Sequence, residues 1–218
     1  MKVIIFGATG MVGQGVLREC LLDPGVESVL VIGRSPVGQR HGKLREVLHQ
    51  DFYNFSALEG QVEGYDACFF CLGVSSVGME KDEYTRVTYD ITMAAARMLV
   101  LVPGMTFIYV SGMGTDSTEK GRSMWARVKG KTENDLLRMP FKAAYMFRPG
   151  LIQPQHGVTA KNRMTRVTYA VLKPIFPLLR ALFSGFVTTS EQVGRAMIKA
   201  SRDGYPKRVL DNRDINNI

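Results

Sequence analysis

Short, wholly apolar runs alternate along this chain with longer stretches of helical periodicity. Val3, Ile4, Ile5 and Phe6 form the first run, too short for a helix and suited to a strand buried on both faces. Val12, Val16, Leu17 and Leu21 then recur at helical spacing. Residues 28–32, 44–48, 66–71, 106–110 and 143–147 read as five further strands. Between them, residues 80–101 carry one apolar stripe through Tyr84, Val87, Ile91, Ala94, Ala95 and Met98, closed by Pro103-Gly104. Residues 123–139 predict another helix. So do 190–200, with Ser190 as N-cap, Glu191 in the first turn, and Val193, Met197 and Ile198 inward. Residues 208–210 add a last strand. This alternation predicts an α/β fold: a doubly wound parallel sheet with helices on both faces. The expected strand order is 3-2-1-4-5-6, and ligands sit outside the carboxyl ends of the strands where that order reverses. A single domain over 1–218 is expected, with 154–190 as a substrate-side lid or appendage.

The turn after the first strand sharpens this picture. Gly7, Gly10 and Gly13 stand at G-x-x-G-x-x-G spacing between a strand and a helix start. Gly7 permits a tight turn, Gly10 lets a pyrophosphate approach the backbone, and Gly13 lets the helix close on the strand. The first-turn N–H groups and the helix dipole favour an anion there. Gly7, Thr9, Gly10, Met11, Val12 and Gly13 are therefore candidate dinucleotide contacts. The alternative is an ordinary first strand-to-helix turn.

The second strand ends in Gly33-Arg34-Ser35. An acid at this point would take the ribose 2′-hydroxyl of NAD, whereas an arginine suits the 2′-phosphate of NADP. Arg34 and Ser35 thus point to NADP, with NAD second; a solvent-facing loop arginine is the alternative. After the third strand, Asp51 is placed to accept from the adenine amino group with Phe52 packed nearby; a plain strand-end turn reads equally well. Cys71, Leu72 and Gly73 follow the fourth strand, and Arg148, Pro149 and Gly150 follow the sixth. Strand ends of this kind flank cofactor and substrate.

Composition removes several alternatives. With 218 residues, 45% hydrophobic and 22% charged, the chain is an ordinary globular one. Its formal charge of +8 suits phosphorylated ligands, nucleic acid or a membrane surface. No Arg/Lys-rich helix with interleaved aromatics is present, which argues against nucleic acid. The three cysteines, Cys20, Cys68 and Cys71, are sparse and odd in number, and the N-terminal apolar run reads as a strand without a cleavage site. A cytoplasmic protein with reduced thiols is expected. Cys68 and Cys71 form a C-x-x-C, but within an apolar strand, where buried core thiols are the favoured reading.

The chain resembles the atypical or extended branch of the short-chain dehydrogenase/reductase superfamily, which is NAD-dependent epimerase/dehydratase-like and has a Rossmann fold. The residues that carry the resemblance are the GATGMVG turn, Gly33-Arg34, Asp51, Cys71-Leu72-Gly73, Ser111, Lys129 and Arg148-Pro149-Gly150. Within that branch it is most similar to the Tat-interacting-protein oxidoreductase group and its bacterial relatives, through FCLG, VKGKTEN, FRPG and the tail Val209-Leu210-Asp211-Asn212. The resemblance is good over residues 1 to 153 and looser beyond. It implies a serine at the end of strand five and a Tyr-x-x-x-Lys on the next helix as the catalytic set. The Tyr moves the substrate proton; the Lys binds the nicotinamide ribose and lowers the Tyr pKa. Ser111 and Lys129 fill two of these positions, and Trp125 stands where the Tyr is expected. An indole N–H only donates and has no acid–base cycle near neutral pH. One intact Tyr-x-x-x-Lys, Tyr169 to Lys173, lies further along and is a competing register.

From Gly157 to Ser190 the chain has no acidic residue, and Lys161, Arg163, Arg166, Lys173 and Arg180 alternate with apolar side chains and two prolines. This reads as a substrate-side lid; weak contact with a membrane surface through 157–190 is the alternative. The expected function is an NADP-binding oxidoreductase or epimerase-like enzyme with a degenerate active site and an unidentified small-molecule substrate. A non-catalytic NADP-binding regulator or redox sensor is the second reading, and a membrane-surface interaction protein the third.

Overall fold

The structure, a computed structural model, describes residues 1–158, 176 and 185–218. Strands β1 (Lys2–Phe6), β2 (Ser28–Gly33), β3 (Leu44–Leu48), β4 (Ala67–Phe70), β5 (Thr106–Val110), β6 (Ala143–Phe147) and β9 (Val209–Leu210) form one sheet in the order β3-β2-β1-β4-β5-β6-β9. Every pairing in it is parallel. The expected order is present, with β9 added beyond β6. Between β6 and β9 lie β7 (Leu151–Gln153) and β8 (Val187–Thr189), which form a separate parallel pair that the residue pattern did not reveal. Three residues per strand are too few for a period of two to register.

Both faces of the sheet are buried, as a central parallel sheet requires. One face carries Ile4, Phe6, Leu30, Ile32, Phe70, Phe107 and Met146. It is covered by α3 (Lys81–Thr85), α4 (Ile91–Leu99) and α5 (Met124–Arg138). The other carries Val3, Ile5, Val29, Val31, Phe69, Ile108 and Phe147. It is covered by α1 (Met11–Leu22), α6 (Ser190–Asp203) and α7 (Asn212–Asn217). A short α2 (Glu59–Val62) lies between β3 and β4. The register explains the two strand-four cysteines. Cys68 joins the first core layer and Cys71 packs against the second. An odd spacing in extended chain sends them to opposite faces. Burial pushes the Cys71 thiol up to about 12 and the Cys20 and Cys68 thiols well above their ordinary value; Cys20 and Cys68 are buried core thiols, and Cys71 is half-buried at the strand end.

The helix expected over 80–101 differs in one instructive way. α3 and α4 are joined by a π turn at Arg86–Asp90, so the helix is continuous but carries a wide turn. Such a turn holds an extra residue and rotates everything after it. Tyr84, Ala95 and Met98 are buried as expected, and Thr88, Thr92, Met93, Ala96 and Leu99 are buried beside them. Val87, Ile91 and Ala94 are half-buried. Ile91 and Ala94 pack against the same core, so the buried face is wider than the expected stripe, which 3.6-residue counting across the π turn does not anticipate. At α6 the cap is Thr189, whose side chain accepts from the Gln192 N–H, and Ser190 is instead the first helical residue. α7, with a full capping box between Asp211 and Asp214, is a further element not anticipated.

Candidate functional site

The strand-one turn is built as its glycines require. Gly7 has a φ of +80°, and a Cβ there would lie 2.8 Å from the Cys71–Leu72 backbone, so the turn after β1 and the turn after β4 touch through it. A Cβ on Gly13 would strike the Gly7 carbonyl, which is how α1 closes onto the strand end. Above Gly10 only the Gly7 oxygen stands near, at 3.3 Å. Gly10 is the N-cap of α1; it offers no side-chain cap, and the first turn holds no acidic residue. The first-turn N–H groups of Met11, Val12 and Gly13 have no intrahelical acceptor. This open, uncapped helix start fits a pyrophosphate.

At the end of β2, Arg34 is exposed, and its guanidinium carbon lies 5.6 Å from the centre of the Phe52 ring. Ser35 beside it is exposed. Gln50 donates to the Arg34 carbonyl at 3.0 Å, tying the ends of β2 and β3 together. Phe52 is buried, edge-on to Phe6 and packed on Phe55, so it is a floor for Arg34 rather than a mobile aromatic. Asp51 is exposed and accepts from the Tyr53 N–H at 2.9 Å, forming its own turn. Arg34, Asp51 and Phe52 are thus brought together at one corner of the sheet.

At the other side of the switch point lie the ends of β5 and β6. Lys129 on α5 donates its ammonium to the carbonyl of Ser111. Burial pushes the Lys129 pKa down to about 8, against the opposing pull of Glu133. The Ser111 hydroxyl is not directed outward. It is 5% exposed and donates to Oε1 of Glu133 at 2.5 Å, with the Phe147 carbonyl at 3.1 Å as the alternative acceptor. The substrate-facing hydroxyl expected at Ser111 is therefore engaged inside the protein. Glu133 has no exposure. It also pairs with Arg148, whose Nε donates at 3.0 Å and whose other nitrogen reaches both Glu133 and the Ser117 hydroxyl. Arg148 thus ties β6 to α5 and to the loop before α5. Gly150 N–H donates to Asn212 at 2.8 Å, linking the end of β6 to α7, and Pro149 presents its carbonyl to the Met113 N–H at 2.8 Å.

Trp125 lies one turn before Lys129 on α5 and is half-buried. Its ring packs on Gly114, where a Cβ would approach to 3.3 Å. Tyr169 and Lys173 lie outside the described residues, as does most of the expected lid at 157–190. Glu133 is the residue of this cluster that sequence reasoning missed. The available signal was its place four residues after Lys129, on the same helix face. Among the described residues no helix is long and apolar enough to cross a membrane.

No family model matches the chain. Curated relatives do. Protein FMP52-1, mitochondrial, of Scheffersomyces stipitis is 23% identical over 211 residues, covering 95% of this chain and 91% of its own. Protein HTATIP2 of Rattus norvegicus is 27% identical over 154 residues, covering 70% and 62%. Among solved structures, DesIV, a dTDP-glucose 4,6-dehydratase of Streptomyces venezuelae with NAD bound, superposes with a TM-score of 0.69 at 17% identity, covering 100% of this chain and 79% of that one. MoeE5 in complex with UDP-glucose and NAD gives 0.67 at 16%, covering 99% and 79%. These likenesses bear out the resemblance to the atypical, epimerase/dehydratase-like short-chain dehydrogenase/reductases, and the fold is theirs. The expectation of a cytoplasmic protein is overturned, because the FMP52 relatives are named mitochondrial. Free cysteines carry no address.

Proposed function

We propose that this chain binds a nicotinamide dinucleotide, NADP in preference to NAD, and is an oxidoreductase or epimerase-like protein of slow turnover. The uncapped start of α1 would hold the pyrophosphate, Arg34 the ribose phosphate, and Lys129 the nicotinamide ribose. Once bound, the dinucleotide supplies or accepts a hydride. DesIV and MoeE5, with the same fold, are solved with NAD, which supports the choice of cofactor class. The observation that carries the reading is Trp125 one helical turn from Lys129, at the place where proton transfer would be expected. Lys129 keeps a binding task there, while the indole cannot cycle a proton. A second reading, a non-catalytic dinucleotide-dependent regulator, is favoured by one specific contact: Ser111 spends its hydroxyl on Glu133. The test is calorimetric titration with NADPH beside turnover on a panel of aldehydes, ketones and nucleotide sugars. Stoichiometric binding with slow turnover supports the first reading, and binding with none supports the second. Failure to bind either dinucleotide overturns both.

A further inference from the structure

Exposed apolar side chains gather where three neighbouring strands end. Val74 and Val77 follow β4, and Val77 is 89% exposed. Met113 follows β5 and is exposed, and Phe186, just before β8, is 55% exposed. β4, β5 and β6 are adjacent in the sheet. One exposed apolar side chain is ordinary, whereas several at one strand edge mark a contact surface. This edge is the one at which ligands of a doubly wound sheet bind.

Gly150 brings two of these segments together at the end of β6. A Cβ there would lie 2.4 Å from Met113 Cε and 2.2 Å from the Phe186 carbonyl oxygen. The Met113 side chain therefore lies across the space that Gly150 leaves. Backbone bonds hold both segments: Met113 N–H donates to the Pro149 carbonyl at 2.8 Å, and Leu151 N–H to the Phe186 carbonyl at 2.8 Å. The Trp125 ring packs on Gly114, the residue after Met113, and Lys129 follows one helical turn later with its ammonium on the Ser111 carbonyl. Arg148 and Lys129, the cations at these strand ends, are engaged. Arg148 is held by Glu133 and Ser117, and Lys129 by the Ser111 backbone. A diphosphate set against Met113 and Phe186 would lose hydration without a free cation to replace it. An apolar group set there gains by leaving water.

We propose that the substrate of this site is an apolar carbonyl compound, an aldehyde or ketone carrying an alkyl or aryl group, and that Met113 and Phe186 set this specificity. The proposal rests on the dinucleotide reading given above. The carbonyl carbon takes a hydride from the reduced dinucleotide and the carbonyl oxygen takes a proton from water, which leaves the alcohol, the oxidised dinucleotide and hydroxide. The apolar substituent lies on Met113, whose unbranched thioether adapts to varied shapes, and on the Phe186 ring. Nucleotide sugars are not substrates on this reading.

Calorimetry on wild type, Met113→Ser and Phe186→Ser, titrated with 2-butanone, 2-hexanone, 2-octanone and UDP-glucose in the presence and absence of NADP⁺, tests the proposal. In wild type, affinity rises about two- to fourfold per added methylene. Each variant flattens that rise, weakens 2-octanone about tenfold and leaves NADP⁺ affinity unchanged. Turnover with NADPH follows the same order in kcat/KM. A flat ketone series in wild type, or a rise that neither variant alters, overturns the proposal. So does UDP-glucose binding more tightly than 2-octanone. Should Met113→Ser fail to fold, the exposed Phe186→Ser carries the test. Failure of wild type to bind NADP⁺ overturns the cofactor reading instead, and the ketone series without dinucleotide then decides the apolar subsite alone.

Discussion

Ser111 donates its hydroxyl to Oε1 of Glu133 at 2.5 Å, and both side chains are buried. The contact joins the end of β5 to the middle of α5. Arg148 completes it from β6. Three neighbouring elements at the carboxyl edge of the sheet are thereby fixed through one carboxylate, and Lys129 sits against the backbone of the same serine.

Ser111→Ala should therefore act on stability. It removes one donor from a buried carboxylate, and urea unfolding should show a loss of about 1–3 kcal/mol. Glu133→Ala should cost more, about 3–5 kcal/mol, because it strands Arg148 beside an empty space. Dinucleotide affinity in Ser111→Ala should stay unchanged, since Lys129 uses the serine carbonyl. Unaltered stability with lost turnover would mean that the hydroxyl turns outward to substrate.

Lys129 gives a pH dependence. Burial lowers its pKa to about 8, so its charge is present below that value and lost above it. If the ammonium holds the nicotinamide ribose, dinucleotide affinity is full below pH 8 and falls as pH rises through it. Glu133 pulls the same pKa upward, so Glu133→Gln should move the fall to lower pH. Fluorescence titration of NADPH across this range reads both effects. A flat profile would separate Lys129 from the cofactor.

Much of this architecture is legible in the residues. The runs 106–110 and 143–147 coincide with β5 and β6, because strands buried on both faces are unbroken apolar stretches. The glycine turn is legible because each glycine answers a steric demand. The π turn at Arg86–Asp90 is not, since nothing in the apolar spacing marks an inserted residue. The site divides in the same way. Arg34, Asp51 and Phe52 follow from strand-end position. The engagement of Ser111 depends on Glu133 and Arg148, 22 residues apart in one case and 15 in the other, and such pairings emerge only with the sheet register.

Cofactor choice should turn on Arg34. Charge-assisted bonds to a 2′-phosphate are worth about 1.5–3 kcal/mol each. Arg34→Ala should lose that much NADPH affinity in calorimetry and leave NADH nearly unchanged. Its stacking on Phe52 is exposed and contributes little to the fold. Equal losses for both dinucleotides would remove the preference for NADP.

The crossing of α1 and α6 depends on absent side chains. A Cβ on Gly15 would lie 2.6 Å from Ser190 Cβ and 2.8 Å from its carbonyl oxygen. Gly15→Ala must push the helices apart and should cost about 1–3 kcal/mol, despite the better helix propensity of alanine. A thermal melt that rises instead would show that α6 moves freely.

On the proposed reading, Trp125 is the decisive position for the chemistry. A general acid or base contributes about 10²–10⁴-fold in rate, and an indole provides none of it. Wild type should bind NADPH and reduce simple aldehydes and ketones slowly, with bound water as an inefficient proton source. Trp125→Tyr places a phenol one turn from Lys129, whose charge favours the phenolate. Turnover should rise toward that factor, less what is lost where the indole packed on Gly114. If Lys129 holds the nicotinamide ribose, Lys129→Ala should weaken NADPH binding. Tyr169→Phe, in the competing register, should leave the rate untouched. The opposite pattern, with ordinary wild-type turnover abolished by Tyr169→Phe and indifferent to Trp125→Phe, would move the active site to the Tyr169–Lys173 pair.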